Sequence, residues 1–165
     1  MEIIFTDNRM QIINAINSNM VAFLYETGET IASQAADNSR VDTGDLKNKW
    51  TYIVDESKPE VIIGNPLQNA IWEEFGTGEY ALKQNGRKGY WVFIKGDESQ
   101  STNTGGKQYT LQEAKRAVAY LRSKGLDAYY TKGKTPNRAL WYAWELFKPY
   151  IVYRFRSIMR GGIDQ

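Results

Sequence analysis

The chain has 165 residues, 42% hydrophobic and 13% aromatic, which is enough for a packed core and too apolar for a disordered chain. It contains neither Cys nor His, which excludes disulfides, thiolate metal sites, the common catalytic triads and most zinc and copper centres. The formal net charge of +2 conceals an imbalance: residues 1–82 hold 13 acidic and 5 basic side chains, and residues 83–165 hold 6 and 16.

Three readings of that imbalance compete. The halves can intermix into a mottled surface. They can instead give a subunit with an acidic and a basic face, suited to head-to-tail packing on copies of itself. The basic part can also serve nucleic acid. No apolar run approaches the eighteen or so residues of a membrane helix. The start, Met1-Glu2-Ile3-Ile4-Phe5-Thr6-Asp7, lacks the basic and apolar regions of a signal peptide. A cytoplasmic origin with no membrane partner is expected.

In chain order, Ile13, Ile16, Met20, Leu24, Thr27, Ile31 and Ala35 recur at helical spacing. They predict a long amphipathic helix over residues 8–37, with Asp7 as N-cap and Gly28 as a soft point. Asp42-Thr43-Gly44 reads as a turn, since Asp can bond its own backbone and Gly accepts positive φ. The β-rich runs 50–54 and 60–64 flank the polar stretch Asp55-Glu56-Ser57-Lys58-Pro59, which predicts an antiparallel hairpin. A short helix is expected at 67–75, ending at Gly76-Thr77-Gly78, and a strand at 90–94.

Residues 96–108, rich in Ser, Thr, Asn and Gly, read as a mobile loop. Thr110-Leu111-Gln112-Glu113 matches a capping box, followed by the stripe Ala114, Ala117, Val118, Leu121 and by Gly125 at C′. A strand follows at 127–131. The last helix is expected to start at Thr135-Pro136, a cap with proline at N1. Its predicted stripe is Leu140, Trp144, Phe147, Ile151, Phe155 and Ile158. Pro149 is expected to kink or interrupt it, at a cost of about 3 kcal/mol. Residues 160–165 form a loose tail.

The predicted fold class is α+β: a small antiparallel sheet packed by a long N-terminal helix and a C-terminal helix, with one inserted helix before the last strand. One domain is expected over 1–165.

The chemical motifs are weak. Gly76-Thr77-Gly78 lacks the third glycine of a dinucleotide fingerprint, Ala81 standing in its place, and it follows a helix rather than a strand. Gly105-Gly106-Lys107-Gln108 lacks the spacing of a phosphate loop. Asp55-Glu56-Ser57-Lys58 resembles the acidic-x-Lys element of Mg²⁺-dependent nucleases, yet sits where a polar turn is expected. Trp91 to Lys132 is similar to half of a small βαβ peptide- or glycan-binding module, with a single unit. Tyr129, Tyr130, Trp141, Tyr142 and Trp144 near Lys132, Lys134 and Arg138 allow stacking on single-stranded nucleic acid. The same residue types also mark protein interfaces. No catalytic, cofactor or metal residue is assigned.

Three blocks in order carry a family resemblance. They are Val41-Asp42-Thr43-Gly44-Asp45-Leu46 after a long helix; Ile62-Ile63-Gly64 with Ala70 and Glu74-Phe75-Gly76-Thr77-Gly78; and residues 130–140, Tyr-Thr-Lys-Gly-Lys-Thr-Pro-Asn-Arg-Ala-Leu. The chain resembles the tail-completion, head–tail joining or minor capsid proteins of long-tailed phages. It departs at Asn137-Arg138-Ala139-Leu140, where many relatives are more apolar. The resemblance implies a non-enzymatic virion component, assembled in the host cytoplasm and acting at the head–tail junction. It implies a cyclic homo-oligomer, often a hexamer, touching the tail tube and head connector proteins, with DNA passing through the ring. Asp42, Thr43, Gly44, Gly76, Thr77, Gly78 and Pro136 are then structural turns. Glu73, Glu74, Arg138, Arg154 and Arg156 are candidate subunit contacts. A nucleic-acid-binding module using the basic aromatic C-terminal part, and a Mg²⁺-dependent nuclease, are the alternatives.

Overall fold

The computed structural model describes residues 9–96 and 108–161. Asp7 and nearly all of the loop expected at 96–108 lie outside them, as do residues 162–165 of the expected tail. The fold class is mixed α and β, with long first and last helices. The single predicted sheet is instead two antiparallel pairs. Backbone contacts divide the chain into two compact units, one formed by 1–67 with 139–165 and the other by Gln68–Arg138.

The first unit is built on two helices, α1 (Arg9–Asn38) and α5 (Ala139–Gly161). Their contacts run in opposite directions along the chain. Asn38 Nδ2 donates to Ala139 O at 3.1 Å, Ile31 and Ala35 pack with Ala143, and Phe23 lies 6.2 Å from Phe155 between ring centroids. The pair is therefore antiparallel. Ala35 and Ala143 are fully buried, and their small side chains let the two backbones approach. The predicted α1 stripe holds at Leu24, Thr27, Ile31 and Ala35, whereas Ile13 is exposed. On α5, Ala143 rather than Trp144 takes the inner position, with Leu140, Phe147 and Ile151 packed beside it.

Two predictions for α5 are corrected. It starts at Ala139, not at Thr135-Pro136, for a reason given by the site below. Of the two effects expected of Pro149, interruption does not occur: the helix continues through it. The carbonyl deprived of its partner belongs to Glu145, which like Pro149 is exposed, so water can take that bond.

A hairpin of β1 (Thr51–Asp55) and β2 (Glu60–Gly64) completes the unit, with Ile53 opposite Ile62 on its outward face. Gly28 accommodates the Tyr52 ring: a Cβ there would stand 2.6 Å from its Cγ. Trp50 Nε1 donates to Ser39 Oγ at 2.7 Å, and that hydroxyl donates to Ala35 O at 2.8 Å, which locks the exit from α1. The Asp-Thr-Gly block leads into a single turn, α2 (Asp45–Asn48). Gly44 takes φ +88°, and the turn's side-chain bonds run through Thr43 and Asp45: Thr43 Oγ1 donates to Asp45 Oδ2 at 3.0 Å. Leu46 is buried, and its carbonyl receives Asn65 Nδ2 at 2.7 Å.

Across α1 and α5, Glu26 accepts from the Tyr150 hydroxyl at 2.7 Å and from Arg154 at 3.1 Å. The Tyr150 hydrogen bond, then that of Arg154, holds the Glu26 carboxyl below its ordinary value of 4.5. A lowered folded-state value contributes stability that is complete above the unfolded value and lost as pH falls through the folded one. Thermal midpoints should therefore drop as pH falls below 4.5, and Glu26→Gln should flatten part of that drop. An acid limb unchanged in Glu26→Gln would remove Glu26 as a contributor.

The second unit contains α3 (Gln68–Phe75), then β3 (Trp91–Ile94), α4 (Leu111–Ser123) and β4 (Ala128–Thr131). β3 pairs with β4, Phe93 opposite Tyr129, and a reciprocal bridge joins Tyr90 and Tyr109. The predicted capping box is present: Glu113 N donates to Thr110 Oγ1 at 3.4 Å, and Thr110 N donates to Glu113 Oε2 at 2.8 Å. The exit is a Schellman motif. Leu126 N donates to Leu121 O at 3.2 Å and Gly125 N to Arg122 O at 3.0 Å, with Gly125 at φ +81°. Ala114 and Val118 are buried on the inner side of α4.

Candidate functional site

A helix of eight residues leaves its last four carbonyls without partners inside it. In α3 much of that demand is met from outside. Gly76 N reaches back to Trp72 O at 2.9 Å, and Leu82 N donates to Phe75 O at 3.0 Å. The Glu73 carbonyl takes Asn137 N at 2.6 Å and Arg138 N at 3.4 Å. Those two N–H groups sit where the first turn of an α5 begun at Pro136 would be, and Arg138 adopts φ +55°. The helix therefore waits until Ala139.

Two segments far apart in sequence, 73–80 and 132–138, thus form one clasp. Thr77 N donates to Lys134 O at 2.9 Å, Glu79 N to Lys132 O at 2.9 Å, and Lys134 N returns a bond to Thr77 Oγ1 at 2.9 Å. Gly133 N is held by Thr131 Oγ1 at 3.1 Å. The backbones meet so closely that side chains are excluded. A Cβ on Gly76 would stand 2.8 Å from Pro136 Cδ and from Tyr80 O. One on Gly78 would stand 2.6 Å from the Trp91 ring and press on Lys132 O, and one on Gly133 would press on Thr77 O. All three glycines have positive φ. A single 3₁₀ turn, Gly78–Tyr80, carries the chain away.

The clasp is also charged. Glu73 is only 8% exposed, and its Oε1 pairs with the half-exposed Lys134 ammonium. Lys132 pairs with Glu79 at 3.5 Å. The Tyr80 hydroxyl, then the Glu79 charge, holds the Lys132 ammonium above its ordinary value. The other Glu79 oxygen accepts from Gly89 N at 3.1 Å, and Arg87 lies 5.1 Å over the Trp91 ring.

The expected site residues therefore separate. Gly76, Thr77, Gly78 and Pro136 come together in the clasp, with Glu73 and Arg138. Asp42, Thr43 and Gly44 belong to the other unit. Glu73 is an interior group of its own unit, and Glu74 is half-buried. Arg154 turns toward α1 and binds Glu26, whereas Arg156 is exposed. The pairs Glu26–Arg154, Glu73–Lys134 and Glu79–Lys132 each join the acidic first half to the basic second half. Part of the charge imbalance is thus neutralised internally. Sequence reasoning missed Glu26, Glu79 and Tyr150; only the opposite charge of the two halves hinted at such pairs.

Of the alternatives, the nuclease-like Asp55 closes its turn, accepting from Ser57 N at 2.9 Å and Ser57 Oγ at 2.6 Å. Among the described residues no group of three or more acidic side chains is placed to hold a metal ion. Tyr129 stacks on Phe93 at 5.7 Å and Tyr130 lies edge-on to Tyr90 at 5.9 Å, so both rings have neighbours.

An exposed apolar stripe runs along α5. Tyr142, Leu146, Pro149 and Tyr153 follow one another at four-, three- and four-residue steps, opposite the side that packs on α1. Tyr142 is 53%, Leu146 62% and Tyr153 69% exposed. Arg156 continues the stripe at the next step. Trp141, Val152 and Met159, also exposed, lie beside it on the helix. No protein-family model, curated protein or solved structure matches the chain.

Proposed function

We propose that the chain is a structural, ring-forming subunit of the head–tail junction of a long-tailed phage, a tail-completion or joining protein bridging the tail tube and the head connector. The outward stripe of α5 carries the reading. Its inner face is filled by α1, and Leu146 and Tyr153, 62% and 69% exposed, stand on the side that α1 does not cover. Contiguous exposed apolar side chains along one helix mark an interaction face, and tyrosines with an adjoining arginine are the residue types that dominate interface energetics. A subunit built for a closed ring needs such a face against its neighbour. The sequence resemblance supplies the biological setting, and two of its three blocks are the two arms of the clasp.

Leu146→Glu/Tyr153→Glu places charge in that stripe without touching the α1–α5 core. Light scattering after size exclusion, with negative-stain imaging, should show rings for the wild type and folded monomers for the variant, with helix content checked by circular dichroism. A wild type that stays monomeric at the highest concentration it tolerates, or rings that survive both substitutions, would sink the reading.

A further inference from the structure

The second unit holds 12 Lys/Arg against 7 Asp/Glu, and its cations differ in how they are engaged. Lys132 and Lys134 are paired inside the clasp. Arg122 is docked, with Nε donating to Ala128 O at 2.9 Å and its guanidinium 5.2 Å over Tyr129. Lys115, Arg116 and Lys124 differ: all are exposed, and among the described residues no ion pair engages them. They surround the side of α4 away from the buried Ala114 and Val118. Glu113, the only acid on that helix, is held in the capping box. Gln112, Ala119, Tyr120 and Ser123 fill the space between the cations, and Lys124 lies 5.7 Å over the Tyr120 ring.

We propose that this face of α4 contacts the phosphate backbone of duplex DNA without regard to sequence. Like charges held on a rigid element repel one another, and a polyanion relieves that repulsion while releasing its own counterions. Ala119 and Ser123 are small enough to let the helix approach a phosphate rail, and Gln112 and Tyr120 can donate to phosphate oxygens. The scarcity of apolar side chains on this face disfavours a bilayer or a protein hot spot. The site lies wholly in the second unit and does not depend on the α5 stripe, so either can fail while the other stands.

Fluorescence anisotropy with a labelled mixed-sequence duplex of about 25 base pairs tests this. Three phosphate contacts predict a log–log salt slope near −3 and a roughly 20-fold loss of affinity between about 50 and 150 mM KCl. Lys115→Gln/Arg116→Gln/Lys124→Gln should abolish most of the slope. Lys49→Gln/Lys58→Gln, which removes exposed charge from the other unit, should leave it almost intact. Absence of binding at the lower salt, a triple variant that binds like the wild type, or a control that loses as much would each overturn the proposal. So would equal displacement of the duplex by polyglutamate, which would indicate an acidic protein partner instead.

Discussion

Gly78→Ala is expected to destabilise the second unit by about 3 kcal/mol or more. Two penalties combine. A left-handed conformation costs a residue with Cβ about 1–2 kcal/mol. The new carbon must also displace both the Lys132 carbonyl, which is held by Glu79 N, and the Trp91 ring. Gly125→Ala separates the two effects. Gly125 has φ +81°, but a Cβ added to it would meet nothing within 4 Å, so only the conformational cost of about 1–2 kcal/mol applies. Urea midpoints give the ranking. Hydrogen exchange should localise the loss to peptides covering 72–82 and 130–138. Should Gly78→Ala cost no more than Gly125→Ala, the close approach of the two arms is not what holds the clasp.

That comparison also marks how far the sequence could be read. The α4 capping box and its Gly125 exit were legible because every participant lies within a few residues of the helix end. The α1 stripe was legible from Leu24 to Ala35 because a partner helix covers it there. Gly76, Thr77 and Gly78 read correctly as a turn, but their close approach to Lys132, Gly133 and Lys134 bridges more than fifty positions and leaves no local pattern. The start of α5 failed for the same reason. Thr135-Pro136 has the chemistry of a helix start, yet the Glu73 carbonyl claims the following N–H groups. Strand pairing is similarly non-local: 90–94 and 127–131 read as strands, while their separation from the 51–64 hairpin into a second sheet is decided by partner choice. On α5, periodicity alone could not tell two apolar stripes apart. Trp144 and Ala143 are adjacent, and the space beside Ile31 and Ala35 admits only the smaller.

That tightness makes Ile31→Ala the other large expected loss, about 4 kcal/mol, near the top of the range for truncating a buried Ile. Ile31 is 1% exposed and is the largest fully buried side chain among the described residues. How much such a site recovers depends on whether neighbours can move into the void. Here Ala35 and Ala143 have no atoms to extend, and Trp50 is tied to Ser39 through its indole N–H. Ile31→Val, which deletes one methylene and keeps the branch, should cost only about 1 kcal/mol. Both variants are best read by hydrogen exchange of α1 and α5 peptides, because unfolding of a chain with two compact units need not be two-state. Protection falling in both helices together would show that the pair opens as one element. A loss below about 2 kcal/mol for Ile31→Ala would mean that the helices close over the void, and that their spacing is not set by the alanines at 35 and 143.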